Sequence, residues 1–272
     1  MFKIIFIDID GTLLTSDHKI SAGTLSTIQR VNQFNKIPII LTSARSPKAI
    51  QKIYYQLGLN APVVCFNGAL IIKMKDAGNY FTLNSHTIEA SLLKLIHGIA
   101  AGHNISLSIY SSSQWYSNTY DKWIKQEEEI TQTHATILNT PLQINKWDAE
   151  NDAPHKILLM GEPDEIESIS LRLKKQTGDQ LNIYKSKPAY LEIMNSAASK
   201  TSAAIFLLQQ YGLTQKDVLA IGDNNNDAEM LEFAGMGIAM ANAPDEVKAK
   251  VKFITLNNDS DGVKFALDKF IK

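Results

Sequence analysis

One cysteine in 272 residues, Cys65, has no partner for an intrachain disulfide, which favours a reducing compartment. At the end of an apolar run it reads as a small buried hydrophobe. Neither sign of charge is in excess. With a net charge of −1 and 20% charged residues, the chain has no broad attraction for nucleic acid or an anionic membrane. No apolar run approaches the ~20 residues of a membrane span. Residues 1–7 are too short for a signal peptide and are followed at once by Asp8 and Asp10, so the expected location is the cytoplasm. Internal repeats, low-complexity tracts and long disordered linkers are also missing. What is left, at 44% hydrophobic, is an ordinary globular composition with a sizeable core, long enough for one large or two moderate domains. Oligomeric state has no signature in the sequence.

The apolar pattern alternates strand and helix from the start. Residues 4–7 read as a buried strand, and residues 21–35 as a helix with Leu25, Ile28, Val31 and Phe34 on one face and Ser21 as N-cap. A strand at 37–41 ends in Thr42-Ser43, a helix spans 47–58, and a third strand at 62–66 ends in Asn67-Gly68. This alternation predicts an α/β fold with a doubly wound parallel sheet. After Gly68 the rhythm changes. A hairpin is expected from 70–73 and 80–83 through Asp76-Ala77-Gly78-Asn79. Helices near 86–102, 121–134 and 163–177, among strands near 105–110, 156–160 and 181–185, predict a separate α+β domain with an antiparallel sheet. The parallel rhythm is expected to resume with a strand at 190–194. A helix at 199–211, a strand ending at Asp223 and a helix at 227–234 follow.

Two acidic segments carry the chemistry. Asp8-Ile9-Asp10-Gly11-Thr12 closes the first apolar run, and Gly222-Asp223-Asn224-Asn225-Asn226-Asp227 closes the run at 218–221. Both then fall at carboxyl ends of buried parallel strands, where open α/β sheets bind ligands. Four gathered carboxylates repel one another, by roughly 4 kcal/mol per pair at ~4 Å and an effective dielectric of about 20. A cation is needed among them, and oxygen donors suit a hard dication such as Mg2+. Two carboxylates at i and i+2 divide the labour of phosphoryl transfer. Asp8 is the candidate nucleophile. Asp10 is the candidate acid and base, with Gly11 supplying the turn. The metal set is Asp8, Asp10, Asp223 and Asp227. Thr42 and Ser43 at a strand end, Lys200 at a helix start and Asn226 are the candidate phosphate contacts.

Together these residues resemble the haloacid dehalogenase superfamily of phosphohydrolases through all four of its motifs in order. Asp8-Ile9-Asp10-Gly11-Thr12 is similar to the first, Thr42 to the second, Lys200 to the third and Gly222 through Asp227 to the fourth. Asn67-Gly68-Ala69, Glu192-Ile193-Met194, the 237–243 segment and Asp261-Gly262-Val263 fit the Cof-like subfamily. At Ser196-Ala197-Ala198 the chain departs from the glycine that members often carry. The resemblance implies a Rossmann-like catalytic core (1–84 and 188–272) with a type-IIB α+β cap (85–187) inserted in it. It also implies a magnesium-dependent phosphatase for a small phosphate ester, such as a sugar phosphate, pyridoxal phosphate or a nucleotide ester. The cap would close over the ester and contact its leaving group. Trp115, Tyr116, Tyr120, Trp123 and Trp147 are candidates for stacking on a ring, although aromatics in such a domain are more often core. His134 and His155 read as surface or structural residues. A phosphomutase of the same superfamily is the alternative. A receiver-like phosphoacceptor module is remote, since it needs only about half this length and no cap. A catalytically idle binding protein is disfavoured while every reacting group is present.

Overall fold

A computed structural model describes residues 2–75, 78–112, 114–150 and 153–271. The chain divides into two compact units. One comprises Met1–Ala44, Ile50–Leu83 and Ser199–Lys272, the other Arg45–Ala49 and Asn84–Ala198.

The first unit is built on an eight-stranded sheet. Its strands are β1 (Ile4–Asp8), β2 (Ile39–Thr42), β3 (Val63–Cys65), β4 (Leu70–Met74) and β5 (Tyr80–Ser85), joined far along the chain by β12 (Val218–Gly222), β13 (Met236–Ala239) and β14 (Phe253–Ile254). The order is β14-β13-β12-β1-β2-β3-β4-β5. Pairing is parallel from β14 to β3, and β4 returns antiparallel on β3. From β1 the chain builds outward to one side through β2 and β3. It later builds outward to the other side through β12, β13 and β14. The topological switch therefore lies between β1 and β12, where open α/β sheets leave a crevice beyond the strand ends. Both parities of β1 are fully buried: Ile4 and Phe6 on one face, Ile5 and Ile7 on the other. That requires layers on both faces, which explains why the strand reads as a continuous apolar run. On one face Ile4, Phe6, Ile40, Val218 and Ala220 pack with Ala203, Ala204 and Leu207 of α7 (Lys200–Tyr211) and Met230 and Leu231 of α8 (Ala228–Phe233). The helix α1 (Ala22–Gln33) begins at Ser21, whose hydroxyl accepts from Thr24 N, and packs on α10 (Gly262–Phe270). Cys65 is buried, as expected. Asp76 and Ala77 of the expected hairpin turn lie outside the described residues.

The second unit holds a six-stranded sheet, ordered β10-β11-β9-β6-β7-β8. Its strands are β6 (Ser106–Tyr110), β7 (Trp115–Ser117), β8 (Thr136–Ile137), β9 (Lys156–Met160), β10 (Leu181–Lys187) and β11 (Tyr190–Asn195). One face is apolar: Leu107, Ile109, Ile157, Leu159, Leu191 and Ile193 pack with α3 (Ala90–Ala100), α5 (Thr140–Glu150) and α6 (Pro163–Thr177) through residues such as Ile96, Trp147 and Ile169. Trp147 is thus a core residue, with Tyr116 edge-on to it at 5.6 Å. The strand at 190–194 does not resume the parallel sheet. As β11 it pairs antiparallel with both β10 and β9, so the unit boundary falls between Ala198 and Ser199, not at 187/188. The turn after β11 works without glycine because no residue from Asn195 to Ala198 needs a positive φ. The Asn195 side chain instead accepts from Ala197 N at 2.9 Å.

The other face of this sheet buries polar and charged residues beside Leu158, Met160 and Met194. Tyr110 sits opposite Lys156 in register, and Glu192 opposite Tyr184. Lys156 Nζ lies 3.0 Å from Glu192 Oε2, and Tyr184 donates its hydroxyl to the same carboxylate at 3.0 Å. Burial alone would raise the Glu192 carboxyl. Lys156, with hydrogen bonds from Ser186, Lys156 and Tyr184, holds it below the usual carboxylate value. Removing one partner strands the other as an uncompensated buried charge, at a cost of about 3–5 kcal/mol. Lys156→Met should therefore lower the urea midpoint of the full chain sharply, and Lys156→Met with Glu192→Leu should recover most of the loss. Equal losses in the single and double variants would mean that the pair is not compensating charge.

Candidate active site

Three strand ends of the first unit converge at the switch point. Asp8 closes β1 and pairs in register with Thr42, which closes β2; Gly222 closes β12, with Asp223 directly after it. Beyond β1 the chain makes one wide turn over Ile9–Leu13, shut by Leu14 N donating to Ile9 O at 2.9 Å. Gly11 sits in this turn at φ +79°, and a Cβ there would fall 2.4 Å from Asp223 Oδ2. Only glycine fits the conformation and the space together. The turn brings Thr12 back toward the second acidic segment, where its hydroxyl donates to Asp223 Oδ1 at 2.6 Å.

Lys200 is the cation of this cluster. It opens α7, whose N-cap Ser199 forms a capping box with Ser202. The turn Phe66–Gly68 after β3 abuts that helix start, and Gly68 at φ +103° lies so close that a Cβ would be 2.1 Å from Ser199 O. The Lys200 ammonium is completely buried and donates to Asp8 and to Asp227, the latter at 2.6 Å. Asp227 is pinned from its other oxygen as well, which accepts from Asp223 N at 3.1 Å and Asn224 N at 3.0 Å.

The electrostatics follow from that burial. Desolvation pushes the Asp8 carboxyl well above its usual value; Lys200 pulls it back in part, and Asp227, Asp223 and Asp10 raise it again. Asp223 is pushed up to about 6, first by burial, against the Thr12 hydrogen bond and with the charge of Asp227. Desolvation alone would depress Lys200, but Asp227 and Asp8 hold it above the ordinary lysine value. Fully ionised, three carboxylates and one ammonium leave a net charge of −2. Oxygen atoms of Asp8, Asp223 and Asp227 lie within 4.8 Å of one another. That is a hard-donor set with surplus negative charge, and it fits a divalent cation.

The structure sorts the residues expected from the sequence. Asp8, Asp223, Asp227 and Lys200 come together. Asp10 does not join the carboxylate group. Its backbone is extended, at φ −85°, ψ 120°, and its side chain is exposed. It is not one of the three carboxylates whose oxygens lie within 4.8 Å of one another, while its charge acts on Asp8 and Asp223. The Thr42 hydroxyl is buried with no hydrogen-bond partner among the described residues, which leaves its donor unused within the protein. The backbone N–H of Ser43 is committed to Val64 O at 3.0 Å, which removes it as an expected anion donor. Asn226 donates to Asn67 Oδ1 at 3.0 Å. Sequence reasoning gave no role to Thr12 or Asn67. The conformational signal at Asn67 is a left-handed φ of 51°, following Phe66 at 49°, which only coordinates reveal. Outside this unit, His134 is exposed, and His155 is buried with Nε2 3.0 Å from Ser85 Oγ.

Comparison with known proteins agrees with this geometry. The family model described as haloacid dehalogenase-like hydrolase matches residues 5–267. A Haemophilus influenzae protein named "Putative phosphatase" is 35% identical over 272 residues, covering 99% of this chain and 98% of that protein. The 5-amino-6-(5-phospho-D-ribitylamino)uracil phosphatase YitU of Bacillus subtilis is 26% identical over 272 residues, covering 98% of this chain and 97% of its own. A crystal structure of a haloacid dehalogenase-like hydrolase from Bacteroides thetaiotaomicron superposes with a TM-score of 0.86 at 26% identity, over 100% of both chains. With the acidic cluster at the switch point of its sheet, the chain belongs to the haloacid dehalogenase-like hydrolases.

Proposed function

We propose that this protein hydrolyses a small phosphate monoester, with Asp8 as nucleophile, Asp10 as general acid and base, and Mg2+ as cofactor. The observation that carries the reading is the contrast between two aspartates two residues apart. Asp8 is buried against Lys200 at the strand end, whereas Asp10 is exposed and outside the carboxylate group. On this reading the first attacks and the second exchanges protons. Asp8 Oδ attacks phosphorus and forms the acyl-phosphate bond as the ester P–O bond breaks. Asp10 passes its proton to the departing alkoxide. Asp10 then takes a proton from water, whose oxygen attacks the same phosphorus and returns Asp8 as a free carboxylate with release of inorganic phosphate. Lys200 keeps Asp8 oriented and in part ionised. The Thr42 hydroxyl is the candidate donor to a phosphoryl oxygen.

Asp8 and Asp223, with Asp227, are the residues that would hold the cation. When bound, it would supply positive charge against both the carboxylates and the phosphoryl oxygens. A phosphorylated sugar or polyol metabolite is the substrate class we favour, in keeping with the phosphoribityl substrate in the name of the Bacillus subtilis relative. A screen of phosphate esters with Mg2+, ranked by kcat/KM, tests that assignment. Comparable kcat/KM for every ester class would remove it.

Two further outcomes are expected. Exhaustive EDTA treatment should abolish turnover, and Mg2+ addition should restore it. Uptake requires ionised carboxylates, so Mg2+ affinity should weaken as pH falls through about 6, where Asp223 gains its proton. Calorimetric titration at pH 7.5 and 5.5 measures this; equal affinity at both would contradict the ligand set. Separately, Asp8→Asn should eliminate phosphate release. Asp10→Asn should lower kcat by about 10²–10⁴-fold with an alkyl phosphate and far less with an activated aryl phosphate, whose leaving group needs no proton. Equal losses on the two esters would remove Asp10 from the acid role.

A further inference from the structure

Among the described residues the two sheets have four edges, and three of them are blunted. β14 and β8 are only two residues long. β10 is longer, but it carries Lys185 and Lys187, and its register with β11 shifts between them. Short strands, lysines and bulges are the devices by which sheets resist the addition of a further strand. The fourth edge is β5, which pairs with β4 on one side only. It has none of these devices. Its six residues, Tyr80-Phe81-Thr82-Leu83-Asn84-Ser85, include no charge, proline or glycine, and none is buried. Phe81 and Leu83, two apart and so on one face, are 55% and 42% exposed. A segment of this length and β-propensity, without charge or proline, is the composition that pairs most readily with another strand.

We propose that β5 is the interface of a homodimer, in which two copies of this chain pair antiparallel along this edge. Symmetry and charge both favour a second copy as the occupant. Antiparallel pairing of a strand with itself is a twofold arrangement, so it closes on two chains and consumes both open edges. A twofold pair also sets each strand against its own sequence, and any charge near the axis would meet its own sign. β5 has no charge to repel, whereas β10 has two lysines. In the register centred on Thr82, Phe81 of each copy lies opposite Leu83 of the other, so both exposed apolar side chains gain a cross-strand neighbour. The flank of the strand is apolar too. Lys75 Nζ lies 3.2 Å from the centroid of the Phe81 ring. Tyr55 of α2 (Pro47–Leu57), 46% exposed, donates its hydroxyl to Lys75 O at 2.5 Å. Main-chain hydrogen bonds would supply the affinity, and the Phe81–Leu83 pairs the register. Six residues span only about 20 Å, so the dimer belongs with the small, weak interfaces.

The test is analytical ultracentrifugation of the full chain from about 1 to 200 µM, the range in which small interfaces form, with amide hydrogen exchange read at both ends. Wild type should pass from one chain to two across that range. Amides of residues 80–84 should exchange more slowly at the high concentration, while those of β10 stay unchanged. Thr82→Lys and Thr82→Glu each set like charges opposite one another at the axis and should weaken the dimer by about fivefold. An equimolar mixture of the two should recover it, because lysine then faces glutamate. Circular dichroism checks that each variant keeps the wild-type fold. The exchange measurement on wild type needs no variant and decides the matter even where a substitution unfolds the chain. A wild type that remains a single chain at the highest concentration overturns the inference and leaves the edge to a strand from another protein. A dimer without protection at 80–84, or one that both charged variants leave unweakened, places the interface elsewhere and overturns it as well. Failure of the mixture to recover the dimer would mean that Thr82 does not face its own copy, which overturns the pairing.

Discussion

The Lys200 ammonium, excluded from solvent between Asp8 and Asp227, is the interaction on which the rest of the site depends. Desolvating an ammonium costs several kcal/mol, and only well-placed carboxylates offset it. The converse also holds. Without that cation, Asp8, Asp223 and Asp227 would crowd their charges within 4.8 Å. The network is self-orienting: Asp227 uses one oxygen on Lys200 and the other on the Asp223 and Asn224 amides, so the ion pair also shapes the loop that carries Asp223. Thr12 completes the arrangement by tying the Asp10 turn to Asp223. Surplus negative charge remains, so the knot also has the oxygen donors and the charge that suit a cation.

The sheet supplies the geometry that makes such a knot possible. Parallel strands deliver all their carboxyl ends to one edge, and the reversal of winding between β1 and β12 leaves room beyond that edge. Asp8, Thr42 and Asp223 need no long loops to meet. They are the first residues that escape the sheet's burial, or the last that share it.

Much of this was legible in the sequence, for physical reasons that also mark where legibility stops. Continuous apolar runs at 4–7 and 218–221 gave two-sided burial and hence parallel central strands, and the acidic residues directly after them gave the site. The run at 190–194 failed the same test, because an apolar run does not distinguish a parallel strand from an antiparallel one that is also buried on both sides. Glu192 inside it was the warning: a charge there is tolerated because Lys156 and Tyr184 stand beside it in register. The short strands β7 and β8 and the helix α5 lacked strong periodicity and were not anticipated. For Asp8 and Asp10, spacing shows that two carboxylates are close along the chain but not which way each one faces. Asn242 and Asn258 were invisible for a similar reason. Exposed asparagines in turns read as turn formers, and only coordinates show that their amides reach back to Gly11 and Leu14.

The ion pair between Asp8 and Lys200 spans 192 residues of chain, which has a consequence for biosynthesis. A ribosome must extend the chain past residue 222 before β1 meets its neighbour β12. Until then, the side of Ile4–Asp8 destined for β12 is an unpaired apolar edge at the centre of the future sheet. Such edges are templates for wrong pairing. The nascent chain passes through a long interval in which the second unit can complete its own sheet while the first remains open on that side. Closure by the C-terminal segment then supplies the missing neighbour and creates the reactive cluster in one event. Catalytic competence and the loss of the sticky edge therefore both wait for residues 218–227, and no chain shorter than that holds all four charged groups of the cluster.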